Sequence, residues 1–552
     1  MAGGSSNRNL RKPFQSGGTL ALGLFLLLLA ALPRIALLER HGLWPDEVFS
    51  LALATGHSLE HPAAEARPEL GDWVEPPRPV TPSALHRFVE HERPPAGPPR
   101  VLRAVFLSDT SPPLYYLLLS FWTRALGTSD AALRGFSLFW SLAALPFLWA
   151  LAREAGGWQA ALSACLLYAL APVSLYYSTE GRMYSLAWFL AVLLAWTTLR
   201  LARQGGHPGL LALWALTGAA GVLTHYFFAF VLGGCLLWLL LWPGELRRSR
   251  LRFQLIIATV LTGLAVLPWM VRVPDSLSRW RVSGGWLNGL PPWPWNVFSP
   301  VKLAWSYLSG RGHWGNPPWT EWPALGAFAL LAVAFLVFRD RSRPVDAKRA
   351  GLFLFWGGAA CLGPLLFDFI FETHTGTVSR YALAGMPAAL LLAGIALGAL
   401  RPGLRAVLFG VILIGWLPGA WDVYNNAFRA RHPLRQVGRE LAAWARPGDL
   451  VMIHSIPSGV LGVARYMDKD AEVVSWVQQL GVRRVPEDLE ALLAGHRRVV
   501  LLKIHLLGEG TPEEAWLREN ATLLADKKRY TEELLYFAPP GGLAAFPEAT
   551  RR

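Results

Sequence analysis

The stretch "TLALGLFLLLLAALPRIALLERHGLWPDEVFS", Thr19 to Ser50, decides the fold class. It opens with an almost uncharged apolar run, and about 20 such residues suffice to cross a bilayer as a helix. Two adjacent acids, Asp46 and Glu47, follow within about ten residues of the end of that run. The sequence therefore predicts a membrane helix with a pair of acids at the membrane edge.

The composition extends this prediction to the whole chain. Of the 552 residues, 53% are hydrophobic and only 16% are charged, whereas soluble proteins average about 25% charged residues. We therefore expect an all-α polytopic membrane bundle of about 11 to 13 transmembrane helices. The candidate segments lie near 20–38, 112–127, 132–152, 158–176, 184–202, 208–226, 227–242, 253–273, 323–338, 350–371, 381–400 and 402–420. The first could be a cleaved signal peptide, but so many later spans favour an uncleaved anchor.

The basic residues indicate a topology. They concentrate in short stretches between apolar runs. Because Lys and Arg are enriched in cytoplasmic loops, this predicts a cytoplasmic N-terminus (1–17) and cytoplasmic loops at 200–203, 247–252, 339–349 and 401–405. The external segments are then loops 40–110 and 274–322, the turn 372–380 and the tail after 421. This pattern accounts for the net charge of +14 without a nucleic-acid surface. One inconsistency remains: the three candidates between loop 40–110 and Tyr177 would put that residue inside, whereas counting back from the tail puts it outside. One of the three is therefore short, re-entrant or interfacial.

The tail, residues 421–552, changes character. "VGRELAAWARPGDLVMIHSI" predicts a helix, a turn and a buried strand, and "LEALLAGHRRVVLLKIHLL" repeats that order. We expect a small external α/β domain after a membrane domain spanning 18–420. The triplet "DKD" at 468–470 superficially resembles a metal-nucleotide motif, but one charged turn supplies too few ligands. The three cysteines, Cys165, Cys235 and Cys361, lie within apolar runs, so neither a disulfide framework nor a cysteine metal site is predicted.

Polar residues recur on the predicted external face. Beyond Asp46 and Glu47 they are Asp109 in "SDTSPPLYYLLL", Glu180, Arg182 and Tyr184 in "YSTEGRMYS", His225 and Tyr226 in "LTHYFF", and Arg380 and Tyr381 in "VSRYAL". Each has a structural alternative. The arginines could extend to lipid headgroups, His225 could be a satisfied polar group in the bundle, and Tyr115, Tyr116 and Tyr381 could belong to an interfacial aromatic belt. Their recurrence on one face favours a functional site, because ionisable groups at the membrane edge usually carry a role.

These motifs carry a family resemblance. The order of "WPDE", "DTSPPLYYLLLSFW", "LRGFSLFWSLAALPFLWALAR", "YSTEGRMYS", "THYF" and "SRYAL" resembles the polyprenyl-phosphate-sugar-dependent GT-C glycosyltransferases. The closest are the family-thirty-nine-like enzymes related to protein O-mannosyltransferases, lipid A aminoarabinose transferase and the rhizobial lipopolysaccharide galacturonosyltransferases. The resemblance covers about residues 15–420.

The resemblance implies that the chain moves a sugar from a polyprenyl phosphate to an acceptor hydroxyl on the periplasmic side of the bacterial inner membrane, with inversion expected. Asp46 matches the first acid of the family motif, with Glu47 beside it. Asp109 stands where the family usually has an acidic residue or a histidine directly before a proline. In this chain two residues separate Asp109 from Pro112. Glu180 and Arg182 are implied to border the donor site.

The residue types fit this chemistry independently. An acceptor hydroxyl needs a base within hydrogen-bonding reach, for which Asp46 is our candidate, with Glu47 as its catalytic neighbour. A lipid phosphate is best paired by arginine, here Arg182 and Arg380. No Walker loop or convergent metal-ligand set is present, so neither a required cofactor nor a required metal is supported, and the question of a bound divalent metal stays open. Two other classes stay open: a lipid or solute transporter using the same groups as gates, and a membrane scaffold presenting the tail. The sugar and the acceptor, whether lipid, glycan or protein, also stay open.

Overall fold

The computed structural model describes residues 16–61, 63–241, 249–279, 285–309, 321–343, 345–425, 433–467, 471–477, 480–505, 510–529 and 531–539. Within these ranges the chain is a helical bundle followed by a small mixed α/β domain. The triplet 468–470 lies outside the described residues.

The helices of the bundle follow the apolar segments closely. They are α1 (Ser16–Ile35), α2 (Pro45–Ala54), α3 (Pro82–His86), α4 (Pro98–Ser108), α5 (Leu114–Leu126), α6 (Asp130–Ala143), α7 (Leu145–Leu170), α8 (Pro172–Tyr177), α9 (Tyr184–Gln204), α10 (Pro208–Val222), α11 (Phe228–Leu241), α12 (Ser249–Met270), α13 (Val273–Ser278), α14 (Ser299–Ser309), α15 (Trp322–Phe338), α16 (Ala347–Phe371), α17 (Met386–Gly398) and α18 (Pro402–Asn425). Many begin with proline in the first turn, where its missing N–H costs no hydrogen bond.

Length and composition identify the membrane-spanning candidates among the described helices. Five stretches are long and apolar enough to cross a membrane: Asp130–Leu170, Tyr184–Gln204, Arg252–Ser278, Ala347–Phe371 and Pro402–Asn425. Five shorter apolar helices are Leu20–Ile35, Pro208–Val222, Phe228–Leu241, Trp322–Phe338 and Leu383–Gly398. The chain is thus an integral membrane protein, and the count of 11 to 13 spans stays a prediction.

The two ends of the bundle differ in chemistry. Glu154 forms ion pairs with Arg200 and Arg203, both at 3.0 Å, and its carbonyl accepts a hydrogen bond from Arg349 at 2.8 Å. The predicted cytoplasmic loops 200–203 and 339–349 therefore meet at one end. Helix α9 runs from this end to Tyr184, and its 21 residues span about 31 Å. Tyr184 and the predicted external motifs lie at the opposite end.

Helix α5 resolves the inconsistency in the predicted topology. Its 13 residues span about 20 Å, short of the roughly 30 Å of hydrocarbon in a bilayer. The following helices run from the site end to Glu154, break at Gly157 with φ 79°, and return. On the return α7 packs along α17, because Gly394 and Gly398 have no side chains to clash with Ala164 and Ala160. Tyr177 thus lies at the same end as Asp46, and we expect 112–127 to be the segment that does not span.

The C-terminal domain has the predicted helix–strand order. Its elements are α19 (Leu434–Trp444), β1 (Asp449–His454), α20 (Pro457–Arg465), β2 (Glu472–Trp476), α21 (Glu487–Leu493), β3 (Arg498–Ile504), α22 (Pro512–Asn520), β4 (Thr522–Lys528) and β5 (Glu532–Ala538). The sheet order is β2-β1-β3-β5-β4, with β2, β1 and β3 parallel and the last two strands antiparallel. Strands β1 and β3 are buried along their whole length, which explains their largely apolar sequences.

Candidate active site

The two acids of the opening motif have opposite environments. Helix α2 begins at Pro45, so Asp46 and Glu47 both lie in its first turn. Successive helical residues point about 100° apart, because there are 3.6 residues in each turn. The side chain of Asp46 is 31% exposed, whereas that of Glu47 is fully buried. Asp46 is therefore the acid that a substrate can reach.

Glu47 holds the local structure together. Its Oε1 accepts hydrogen bonds from Arg134 Nε and from the Gly181 amide, each at 2.8 Å. Its Oε2 accepts from Arg134 Nη2 at 2.6 Å and from the Trp44 amide at 3.2 Å. Both oxygens are engaged, so this geometry favours a structural role for Glu47 over the predicted catalytic one. The residue joins α2, α6 and the turn before α9.

Arg134 is a functional residue that the sequence analysis did not single out. Its remaining N–H groups donate to the carbonyls of Leu38, His41 and Gly42 at 2.6–2.9 Å. The side chain is fully buried. A lone arginine inside the apolar run "AALRGFSLFW" was the available signal, because a charge at such a position requires a partner.

Asp46 faces Arg380. Its Oδ2 lies 3.8 Å from Arg380 Nη1. The guanidinium carbon of Arg380 lies 5.1 Å from the centroid of the Trp286 ring and 5.9 Å from that of Tyr381. Contacts with these rings hold the guanidinium beside Asp46. The 3.8 Å separation is too long for a hydrogen bond, so both groups can still bind a substrate.

Arg182 contacts α2 one helical turn after Asp46. Its Nη1 donates to Ser50 Oγ at 3.0 Å and to the Tyr116 hydroxyl at 3.1 Å. The Tyr116 hydroxyl in turn donates to Asp109. Among the described residues Arg182 Nε has no hydrogen-bond partner, although it is buried. Asp109 thus joins the site through Tyr116 and not by facing Asp46.

Asp46 and the two arginines form one electrostatic group. Burial acts to lower the pKa of Arg182 and of Arg380, but neighbouring tyrosine hydroxyls, followed by Asp46, outweigh burial and raise both pKa values. Two permanently charged guanidinium groups therefore flank a single partly exposed carboxylate. Such a set can bind a phosphate, which accepts paired hydrogen bonds from arginine.

Aromatic side chains line the neighbouring wall. The His225 ring centroid lies 6.4 Å from that of Tyr184 and 6.0 Å from that of Tyr381. Burial, followed by the charges of Arg182 and Arg380, lowers the pKa of His225 to about 4. The imidazole is thus neutral at pH 7, and it can offer a hydrogen bond but no charge.

Two further predicted residues take supporting positions. The Tyr226 hydroxyl accepts a hydrogen bond from Trp269 Nε1 at 2.8 Å, which directs it to α12. Glu180 is buried in the turn before α9, where its carbonyl accepts from Ser137 Oγ at 2.5 Å. The structure therefore brings together the predicted residues Asp46, Arg182, Tyr184, His225, Arg380 and Tyr381. Tyr226 and Glu180 contribute to the framework around them.

Asp368, near the end of α16, shapes the loop that carries Arg380. It accepts hydrogen bonds from Thr373 Oγ1, from Thr375 Oγ1 and its amide, and from the Gly376 amide, at 2.6–2.8 Å. The carboxylate is 2% exposed. Sequence inspection missed Asp368, although an acid near the end of an apolar segment is the same signal as in the opening motif.

No metal site was found in the part of the chain that the structure describes. There, no group of three or more His, Cys, Asp or Glu side chains is arranged to hold an ion. The expectation that no metal is required stays a prediction.

Comparison with known proteins gives two findings. A family model described as dolichyl-phosphate-mannose-protein mannosyltransferase matches residues 110–271, which contain Tyr116, Arg134, Arg182 and His225. The crystal structure of ArnT from Cupriavidus metallidurans bound to undecaprenyl phosphate covers 95% of this chain and 98% of its own, with 14% identity and a TM-score of 0.55. The apo state of that protein covers 94% and 98%, with 14% identity and a TM-score of 0.56. A search of curated protein sequences finds no match.

At this identity the structural likeness concerns the fold, and it extends over both the bundle and the C-terminal domain. The family model adds a likeness in sequence over helices α5 to α12. The resemblance to the polyprenyl-phosphate-sugar-dependent GT-C glycosyltransferases is therefore confirmed, in the residues matched by the family model and in the fold of the whole chain.

Proposed function

We propose that this chain is a membrane glycosyltransferase that moves a sugar from a polyprenyl-phosphate donor to a hydroxyl group of a cell-envelope acceptor. The observation that carries this proposal is the partly exposed carboxylate of Asp46, which faces Arg380 at 3.8 Å with Arg182 nearby. A base beside two phosphate-binding groups is what transfer from a lipid phosphate requires. The undecaprenyl phosphate bound to the ArnT structure supports this choice of donor class.

The donor phosphate lies between the two arginines in this scheme. Arg380 approaches from the loop before α17, and Arg182 approaches from the turn before α9. The Nε of Arg182 has no partner among the described residues, so it is available to a phosphate oxygen. Pairing with guanidinium groups stabilises the charge that develops on the leaving phosphate as the bond to the sugar breaks.

Asp46 acts on the acceptor. Its carboxylate takes the proton of the acceptor hydroxyl while that oxygen forms a bond to the anomeric carbon. The bond from the anomeric carbon to the phosphate oxygen breaks in the same displacement, and the electron pair leaves with the polyprenyl phosphate. A single displacement inverts the anomeric centre. The scheme requires no cofactor.

Two supporting roles follow from the hydrogen bonds. Asp109 orients Tyr116, and Tyr116 accepts from Arg182, so Asp109 acts on the donor side through two contacts. Glu47 and Arg134 fix the first turn of α2, which sets the direction of Asp46. Neither pair needs to touch the substrate.

A transporter is the competing class. It would carry a lipid or solute past the same charged groups without breaking a bond. The family likeness over residues 110–271 favours transfer chemistry. The two classes can be distinguished by experiment, because only a transferase changes the covalent structure of an envelope component.

Mass spectrometry of envelope glycans and lipids tests the proposal. Cells with and without the gene are compared, and the deletion strain is complemented with the wild-type chain or with Asp46→Asn. We expect one envelope component to lose the mass of one sugar in the deletion strain, and the wild-type chain alone to restore it. Identical spectra in all strains, or full restoration by Asp46→Asn, would contradict the proposal. We expect the protein in the bacterial inner membrane with this site on the periplasmic side.

A further inference from the structure

The segment that connects α1 to α2 leads the chain into the helix that carries Asp46. Residues 36–44 contain no helix or strand, so side chains from other elements hold their backbone. Arg134 of α6 binds three of their carbonyls. The Glu39 carbonyl accepts a hydrogen bond from Arg435 Nη1 of the C-terminal domain at 2.7 Å. Both domains therefore hold the backbone that leads into α2.

Tyr466 of the C-terminal domain holds the end of this segment. Its hydroxyl accepts a hydrogen bond from the Leu43 amide at 2.7 Å and donates one to Asp130 Oδ2 at 2.6 Å. Leu43 lies three residues before Asp46 and is fully buried. A buried amide that loses its hydrogen-bond partner costs free energy. The Tyr466 hydroxyl therefore fixes the backbone directly before the first turn of α2.

Asp130 joins the two domains at the same place. This buried residue at the start of α6 pairs with Arg435 at 2.7 Å and with Arg465 at 3.1 Å, and both arginines belong to the C-terminal domain. Asp130 lies one helical turn before Arg134, whose side chain pairs with Glu47 at 2.6 Å. A single turn of α6 thus binds the C-terminal domain through one side chain and α2 through another.

The C-terminal domain also packs closely on the chain before and after Asp46. A methyl group built on Gly42 would meet Arg435 Cβ at 2.5 Å, and one built on Gly462 of α20 would meet Val48 Cγ2 of α2 at 3.2 Å. The first distance is too short for two carbon atoms, so the backbone at Gly42 lies directly against α19. The opening motif is therefore enclosed by contacts from the C-terminal domain.

We propose that the C-terminal domain positions the base: Tyr466 and Asp130 hold residues 36–44, and thereby hold the Asp46 carboxylate at hydrogen-bonding distance from the acceptor hydroxyl. Both are positioning residues, and neither touches a substrate. Misplacing a reacting group by about 1 Å can lower a rate about a hundredfold, so a small displacement of this segment is enough to affect turnover. This inference rests on the proposed glycosyl transfer and gives the C-terminal domain a part in it.

Hydrogen–deuterium exchange tests the positioning contact without any substrate. The full-length variants Tyr466→Phe and Asp130→Asn are compared with wild type in detergent, with Arg483→Lys as the control. Arg483 belongs to the same domain, but it donates to the carbonyls of Pro76 and Pro77 and not to the opening motif. We expect peptides covering residues 36–48 to exchange faster in the first two variants only. Exchange at the wild-type rate in both would overturn the inference.

Kinetics test the effect on the base. Transfer from a synthetic polyprenyl-phosphate sugar to a saturating envelope extract from cells that lack the gene is measured for the same variants. We expect Tyr466→Phe and Asp130→Asn to lower turnover about tenfold, with the affinity for undecaprenyl phosphate within about twofold of wild type. Arg483→Lys should match wild type. A weaker lipid affinity that accounts for the lost transfer would overturn the assignment to the base.

A double-mutant cycle separates positioning of Asp46 from a general structural role. Tyr466→Phe is added to Asp46→Asn, which has already lost the base. If Tyr466 acts through Asp46, the two effects are not additive, and Tyr466→Phe should lower the residual turnover by less than about twofold. A loss by the same factor in both backgrounds would overturn the inference.

The outcomes also separate this inference from the proposed function. Unchanged turnover in folded Tyr466→Phe and Asp130→Asn would overturn the positioning role, while wild-type transfer would still support the enzyme. If neither variant folds, the contact serves folding and the inference is wrong. Absence of transfer by the wild-type chain would instead contradict the proposed function, and the exchange measurement would still decide whether Tyr466 holds the segment.

Discussion

At the scale of single residues, the site depends on a difference between neighbours. Asp46 and Glu47 are adjacent, yet one faces the opening and the other is enclosed by Arg134, Trp44 and Gly181. The first turn of α2 produces this difference, because consecutive helical side chains diverge. Sequence analysis found both acids and chose Asp46 as the base, but it predicted a catalytic part for Glu47 because the position of Arg134 is not visible in the sequence.

Arg182 and Arg380 give the first prediction. Replacing either with lysine should weaken undecaprenyl phosphate binding about tenfold, because a point charge cannot form two parallel hydrogen bonds to a phosphate. Isothermal titration in detergent measures the affinity.

Arg203→Lys is the matched control for these variants, because Arg203 pairs with Glu154 at the far end of the bundle. It should bind the lipid as wild type does. Unchanged affinity in both site variants would mean that the two arginines only contact lipid headgroups.

At the scale of elements, the α2–α6 contact depends on one buried ion pair. Glu47→Gln keeps the shape of the side chain but leaves Arg134 without a counter-charge. Breaking such a pair costs about 3–5 kcal/mol. We therefore expect a clearly lower thermal unfolding midpoint for Glu47→Gln, measured by tryptophan fluorescence in detergent.

Asp46→Asn provides the comparison for that measurement, since its carboxylate lies at the opening and should leave the midpoint unchanged. A Glu47→Gln protein that is as stable as wild type but inactive would show that Glu47 takes a direct part in the chemistry.

The elements themselves were largely predictable. Apolar runs located the membrane helices because hydrophobicity alone decides which segments can be buried in lipid. The short α5 could not be distinguished, since its composition resembles that of other apolar helices of 13 to 15 residues in the bundle, α10, α11 and α17. Asp130 and Asp368 were missed for other reasons. The partners of Asp130 are distant in sequence, and those of Asp368 lie in a loop whose shape the sequence does not reveal.

At the scale of the whole molecule, the loop after α2 and the C-terminal domain share a buried acid. Glu75 Oε1 accepts a hydrogen bond from the Val477 amide at 2.9 Å. Burial raises the pKa of Glu75 from 4.5 to about 7. Between about pH 4.5 and pH 7 the Glu75 carboxyl therefore keeps its proton in the folded protein but has lost it in the unfolded chain. The contribution of Glu75 to the free energy of unfolding is complete below about pH 4.5 and is lost as the pH rises through about 7.

We therefore expect the thermal midpoint to fall as the pH is raised from about 5 to about 8, and Glu75→Gln to reduce that dependence. Differential scanning fluorimetry of the purified protein measures it. Glu69→Gln, at an exposed position of the same loop, is the control and should behave as wild type. An identical pH dependence in Glu75→Gln would exclude this residue as its source.

The orientation in the membrane gives another prediction. The basic loops meet at the end of the bundle opposite Asp46, so a charge bias that holds them in the cytoplasm puts residues 421–552 in the periplasm. A reporter that functions only after export should be active when fused to the C-terminus. Activity only from a cytoplasmic reporter would reverse the topology.

The overall arrangement was only partly predictable. The order of a membrane domain and a small α/β domain is visible in composition, because lipid-facing and water-facing segments differ. The contact between the two domains beside Asp46 is not visible in the composition, because Leu43, Asp130 and Tyr466 come together from three distant parts of the sequence.

The central claim is that Asp46 is the base of a sugar transfer from a lipid phosphate. Asp46→Asn keeps the size of the side chain but cannot accept the proton of the acceptor. Transfer from a synthetic polyprenyl-phosphate sugar by the purified variant is compared with that of wild type, with undecaprenyl phosphate binding and the thermal midpoint as controls for donor binding and folding. We predict a fall in turnover of about a hundredfold or more with both controls unchanged; transfer near the wild-type rate by a folded Asp46→Asn protein would contradict the account.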